Sequence, residues 1–168
     1  MKVRAATAGD TAALQAIYAH HVEHGFGTFE ETPPSVEEMG ARREAVEALG
    51  LPYLVAEDEG GRVIGFAYAG LFRTRSAYRF TCEDSVYVAP DAMGRGVGKA
   101  LLAAVIEGAR AAGYKQLVAV IGDSLNGGSI GLHGALGFRP MGSLQRVGFK
   151  RGRWLDVVMM QLELAPTE

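Results

Sequence analysis

The run Val86-Tyr87-Val88-Ala89-Pro90-Asp91-Ala92-Met93-Gly94-Arg95-Gly96-Val97-Gly98-Lys99 joins a strand, a glycine-rich turn and the start of a helix. Val86 and Val88 share one strand face and Tyr87 the other, and Pro90 closes the strand. Glycine at 94, 96 and 98 lets backbone approach a ligand closely. The free N–H groups of a helix start, aided by the helix dipole, favour bound phosphate. Arg95 and Lys99 add positive charge beside them.

The residues separate the known kinds of phosphate cradle. A nucleotide-triphosphate loop needs glycine five positions before Gly98 and Ser or Thr after Lys99, where Met93 and Ala100 stand. A dinucleotide fingerprint beginning at Gly94 needs glycine at 99, and one beginning at Gly96 needs it at 101; Lys99 and Leu101 occupy those places. Neither nucleotide hydrolysis nor hydride transfer is expected.

Around this unit the chain is short and glycine-rich, with 23 glycines in 168 residues, about twice the ordinary ~7%. No collagen period is present, and 48% hydrophobic residues exclude a disordered linker. One domain over 1–168 is expected. Seventeen basic against 19 acidic residues give a net charge of −2, so no nucleic-acid partner is implied. No apolar run approaches the ~18 residues of a membrane span, and no membrane partner is expected. The single cysteine, Cys82, excludes an intrachain disulfide and agrees with a reducing, cytoplasmic compartment.

The pattern predicts an edge strand over Lys2–Ala6 and a helix carrying Leu14, Ile17, Tyr18 and Val22 that stops near Gly25. Ser35 with Glu38 three residues on is a capping box opening a second helix that ends near Gly50. Tyr53–Glu57 and Val63–Leu71 form a hairpin, and a basic connection with Arg73, Arg75 and Arg79 leads to a strand over Thr81–Val88. A helix over Val97–Ala112, a buried strand over Leu117–Ile121, a short helix over Ser129–Leu136 and strands over Arg139–Val147 and Arg153–Leu162 follow. The class is mixed α+β around a central strand–loop–helix–strand unit.

This order resembles the GNAT superfamily of N-acetyltransferases, whose acetyl-CoA loop has the pattern Gln/Arg-x-x-Gly-x-Gly/Ala. Gly96-Val97-Gly98 supplies the glycines, and Met93 stands at the Gln/Arg position. Phe80 to Val88, Val118 to Ile121, Ser129 to Phe138 with His133, and Gly148 to Val157 resemble the phosphinothricin and methionine sulfoximine acetyltransferase group. The resemblance implies a mostly antiparallel central sheet with helices on both faces. It also implies acetyl-CoA as cosubstrate and a homodimer.

Acyl transfer from a thioester to an amine needs a neutral amine, a stabilised oxyanion and a proton for the thiolate. Glu83 shares a strand face with Ser85 and Tyr87 and is the candidate base; the resemblance implies the same role. A backbone N–H between Tyr87 and Ala89 is the candidate oxyanion donor. His133 stands where the resembling group has histidine as the thiolate's acid, many other members having tyrosine. Val86, Tyr87, Val88, Gly94, Arg95, Gly96, Val97, Gly98, Lys99 and Asn126 are the expected acetyl-CoA contacts, Asn126 binding pantetheine or capping its helix. Cys82 lies on the face opposite Glu83, which argues against an acyl-cysteine. His20, His21 and His24 lack the zinc spacing and read as a solvated helix end; no metal is assigned.

Arg73, Thr74, Arg75 and Tyr78 border the base, and arginine suits a carboxylate-bearing acceptor such as a free amino acid. Phe26, Phe29, Glu31, Phe149 and Trp154 are candidate pocket walls. A protein or peptide acetyltransferase and a non-catalytic acyl-CoA-binding module remain open on the sequence.

Overall fold

Strands and helices follow one another as the period-two and period-3.6 spacing of apolar residues predicts. The computed structural model describes residues 1–167. Its elements are β1 (Lys2–Ala5), α1 (Thr11–His24), α2 (Val36–Ala48), β2 (Tyr53–Glu57), β3 (Val63–Leu71), β4 (Thr81–Val88), α3 (Val97–Ala111), β5 (Gln116–Gly122), α4 (Gly127–Ala135), β6 (Arg139–Lys150) and β7 (Arg153–Glu163). The Ser35 hydroxyl accepts from the Glu38 N–H at 3.1 Å and starts α2 as expected.

The strands form one sheet in the order β1-β2-β3-β4-β5-β7-β6. Every neighbouring pair is antiparallel except β4 with β5. On one face Tyr18 of α1 packs edge-on against Tyr87 of β4, with Tyr53 and Tyr68 stacked beside them. On the other face α3 buries Leu101, Leu102, Val105 and Ile106 against the sheet. Each such side chain contributes roughly 1.5–3 kcal/mol of burial. Helices cover both faces, as the resemblance implies.

Two differences from the sequence reading have local causes. α4 begins two residues early, at Gly127, because the Asn126 side chain accepts from the Ser129 N–H at 3.1 Å and caps it. β6 continues to Lys150 through two irregularities, one of them around Arg146 at φ 54°, which blurs the alternation beyond Leu144. It then turns into β7 through Arg151 and Gly152, both at positive φ, the conformation of the tightest hairpin turn.

The parallel pair positions the site. β4 and β5 pair only at Thr81 with Gln116, Cys82 with Leu117 and Glu83 with Val118. Beyond Glu83 the strands part, while β4 stays paired to β3 as far as Val88 and β5 to β7 as far as Gly122. The sheet therefore carries a fork at its centre.

Candidate active site

The fork opens into a cleft of about 790 Å³ lined by both arms, the glycine turn and α4. Ala89 N–H donates to the Ile64 carbonyl at 2.9 Å, which fixes the β3–β4 hydrogen-bonding alternation. The polar groups of Tyr87 are thereby turned toward β3, and those of Val86 and Val88 face the fork. Of the stretch expected to supply an oxyanion donor, only the Val88 N–H is aimed there; Tyr87 and Ala89 are not.

Gly96 precedes α3 at φ 80° and Gly94 lies at φ 72°, left-handed conformations that favour glycine. The turn thus brings the first N–H groups of α3 to the mouth of the fork. Gly94, Gly96, Val97, Gly98 and Lys99 line the cleft together with Val86, Tyr87, Val88, Asn126 and His133. Met93, at the position where the loop pattern has Gln or Arg, lines it too. Arg95 does not. It lines a separate hollow of about 390 Å³ beside Asp58 and Glu59, because consecutive turn residues project to opposite sides. Asn126 does both things expected of it locally: it caps α4 and donates to the Gly122 carbonyl at 3.0 Å, at the edge of the cleft.

Glu83 is the last residue of β4 paired with β5 and is half-buried. Burial pushes its carboxyl up to about 7, the neighbouring Asp84 charge pushes the same way, and Arg73 opposes them. Arg73 therefore lies within electrostatic reach of Glu83. Arg73, Thr74, Arg75 and Tyr78 are exposed, and neither they nor Glu83, which projects from the other face of β4 than Asp84, line the cleft. Phe26 lines it, Phe29 packs against Gly122, and Phe149 and Trp154 point to solvent.

His133 is 3% exposed, with both ring nitrogens engaged. Nδ1 donates to the Ser129 carbonyl at 2.7 Å, and Nε2 meets Asp84 Oδ2 at 2.8 Å. Phe138 closes edge-on over the ring at 4.9 Å. Burial opposes its charge, but the Asp84 carboxylate and the Ser129 carbonyl outweigh burial and raise its pKa. Asp84, which the sequence reading passed over, lies on the strand face opposite Glu83.

His21 departs from the expected solvated helix end. Its Nε2 donates to the Val88 carbonyl at 2.8 Å, its ring lies against Tyr87, and it lines the cleft. Periodicity hinted at this, since His21 falls four residues after Ile17 on a buried face. Cys82 is fully buried, and burial pushes its thiol up to about 12, which leaves no nucleophile there.

A forked central strand pair with a glycine turn at its mouth suits an extended, phosphate-bearing thioester. The family model described as acetyltransferase (GNAT) domain matches residues 3–159. The chain belongs to the GNAT acetyltransferase family. It is 54% identical over 96% of its length to a phosphinothricin N-acetyltransferase of Alcaligenes faecalis, covering 82% of that protein. It is 44% identical to an L-methionine sulfoximine/L-methionine sulfone acetyltransferase of Pseudomonas paraeruginosa, covering 98% of this chain and 95% of the relative. The crystal structure of a GNAT superfamily phosphinothricin acetyltransferase from Sinorhizobium meliloti in complex with acetyl-CoA superposes with a TM-score of 0.95 at 48% identity. That match covers 98% of this chain and 88% of the other. The GNAT fold and the enzyme class expected from sequence are thus established, with acetyl-CoA as cosubstrate. Among the described residues no helix is long and apolar enough to cross a membrane.

Proposed function

We propose that this GNAT enzyme transfers acetyl from acetyl-CoA to the α-amino group of a small amino acid or analogue, of the phosphinothricin or methionine sulfoximine and sulfone class. Transfer is by direct attack in a ternary complex. The observation that carries the reading is Glu83 at the apex of the fork, its carboxyl raised to about 7, where it can take a proton from an ammonium group near neutral pH. The buried, protonated Cys82 supports direct attack over an acyl-cysteine. The names of the two relatives above support the acceptor class.

In this reading the N–H groups at Gly94 to Lys99 receive the pyrophosphate, Val86 and Val88 face the pantetheine arm, and the Val88 N–H meets the oxyanion. His133 meets the departing thiolate. With both nitrogens bonded it offers a fixed positive charge, and a proton only by giving up Asp84. Arg73, Thr74, Arg75 and Tyr78 take the acceptor's carboxylate side, which the proximity of Arg73 to Glu83 supports. The enzyme acts as one domain over 1–168, a homodimer in the cytoplasm, with no nucleic-acid or membrane partner. Support for the dimer is the exposed Phe149–Trp154 pair on the edge hairpin of β6 and β7. The test is an amino-acid panel incubated with acetyl-CoA while free thiol is followed. Turnover on methionine sulfoximine, methionine sulfone or phosphinothricin is expected. Thiol release no faster than without acceptor, on every amine, overturns the reading.

A further inference from the structure

Asp84 is the first residue of β4 beyond its last pairing with β5, and its side chain is 2% exposed. One carboxylate oxygen, Oδ2, lies 2.8 Å from His133 Nε2. The other, Oδ1, is buried with no hydrogen-bond partner among the described residues, although Asp84 and His133 both line the cleft. A buried carboxylate with an unused oxygen is costly unless another interaction compensates. Because the Ser129 carbonyl can only accept, His133 Nδ1 must carry a proton. With Nε2 facing a carboxylate, the ring is fully bonded as the imidazolium. Glu83, the preceding residue, projects from the opposite face of the same strand. Two further titratable groups act around this pair: the Cys82 thiol on Asp84's face, held protonated, and Arg73 acting on Glu83.

We propose that Asp84 is a positioning residue that couples the two chemically active groups of this enzyme. Its one negative charge holds His133 doubly protonated on one sheet face and disfavours a second negative charge on Glu83 on the other. The inference rests on the acetyltransferase reading for its kinetic consequence alone. The Asp84 charge pushes both Glu83 and His133 toward their protonated forms, in agreement with it.

Removing the charge with Asp84→Asn keeps an acceptor for His133 Nε2–H and so separates charge from shape. An opposite charge at this range moves a titration by about one unit or more. In Asp84→Asn, the His133 midpoint followed by NMR of labelled imidazole is expected to fall by about that much. The acidic limb of the kcat/KM profile, set by Glu83, is expected to move to lower pH as well. His133→Gln is expected to move that limb the opposite way, since it leaves Asp84 uncompensated. A wild-type His133 that is neutral at pH 7 overturns the proposal, as does a folded Asp84→Asn variant with both titrations unmoved. Should Asp84→Asn not fold, the wild-type spectrum and His133→Gln decide the matter. The NMR arm needs no turnover, so an enzyme inactive on every amino acid would overturn the acceptor assignment while the His133 titration still judged Asp84.

Discussion

His21 Nε2 donates to the carbonyl oxygen of Val88 at 2.8 Å, so the first helix grips the last residue of the strand that faces the central cleft. The bond fixes the end of β4 where it enters the glycine turn. His21→Phe keeps the contact with Tyr87 and loses the donor, leaving a part-buried carbonyl unpaired. A loss of about 1–3 kcal/mol in urea unfolding is expected, with a raised KM for acetyl-CoA. Burial lowers the His21 pKa below its ordinary 6.5. The unfolded chain therefore binds this proton more readily, and His21's contribution to stability is lost as pH falls below about 6.5. The stability gap between wild type and His21→Phe should narrow from pH 7.5 to pH 5.5. A gap that widens toward acid refutes the neutral donor.

Glu83→Gln removes the base and keeps the side chain's size. Loss of general base catalysis costs about 10²- to 10⁴-fold in kcat, while binding of acetyl-CoA, measured by calorimetry, should change little. Because the carboxyl must be ionised to accept a proton, wild-type kcat/KM is expected to rise with pH through about 7, and the variant should lack that limb. Retention of the limb in Glu83→Gln assigns it to another group.

The strand, turn and helix from Val86 to Ala112 were legible because each has a strong local signal: alternation, three spaced glycines, then a long apolar stripe. The Ser35–Glu38 cap and the placement of Glu83 opposite Cys82 were legible for the same reason. The fork was not, since it depends on where β4 and β5 stop pairing, a long-range register that no local pattern encodes. Asp84 was hidden by that gap: its partner His133 lies 49 residues away, and a carboxylate on the apolar side of a strand has no signature until the partner is placed. The side taken by Arg95 was not legible, because a glycine turn does not reveal which way a flanking side chain projects. The length of β6 was lost at Arg146, where positive φ breaks the period.

Gly122 ends β5 at the cleft, and a Cβ there would lie 2.5 Å from Phe29 Cε1 and 2.9 Å from the Phe26 carbonyl oxygen. The Phe29 ring also packs on Gly148 of β6, so it cannot retreat in that direction. Gly122→Ala must therefore shift the loop between α1 and α2 that carries Phe26 into the cleft. Overpacking of this kind costs about 1–3 kcal/mol. A lower melting temperature and a raised KM for the acceptor are expected, and the double variant Gly122→Ala with Phe29→Ala should recover part of the KM. Unchanged kinetics in Gly122→Ala would detach this loop from acceptor binding.

β6 is an edge of the sheet, and its hairpin with β7 exposes Leu144, Val147, Phe149 and Trp154, each more than half accessible. Phe149 and Trp154 pair across the strands with ring centroids 5.0 Å apart. An open edge beside an exposed aromatic pair is a liability for a lone chain and a ready interface for a second copy. Sedimentation of the wild type is expected to give twice 17.8 kDa. Trp154→Glu with Phe149→Glu places two charges on that face, where partnerless burial is costly, and should give the 17.8 kDa monomer without loss of secondary structure. A variant that still sediments as a dimer moves the interface elsewhere.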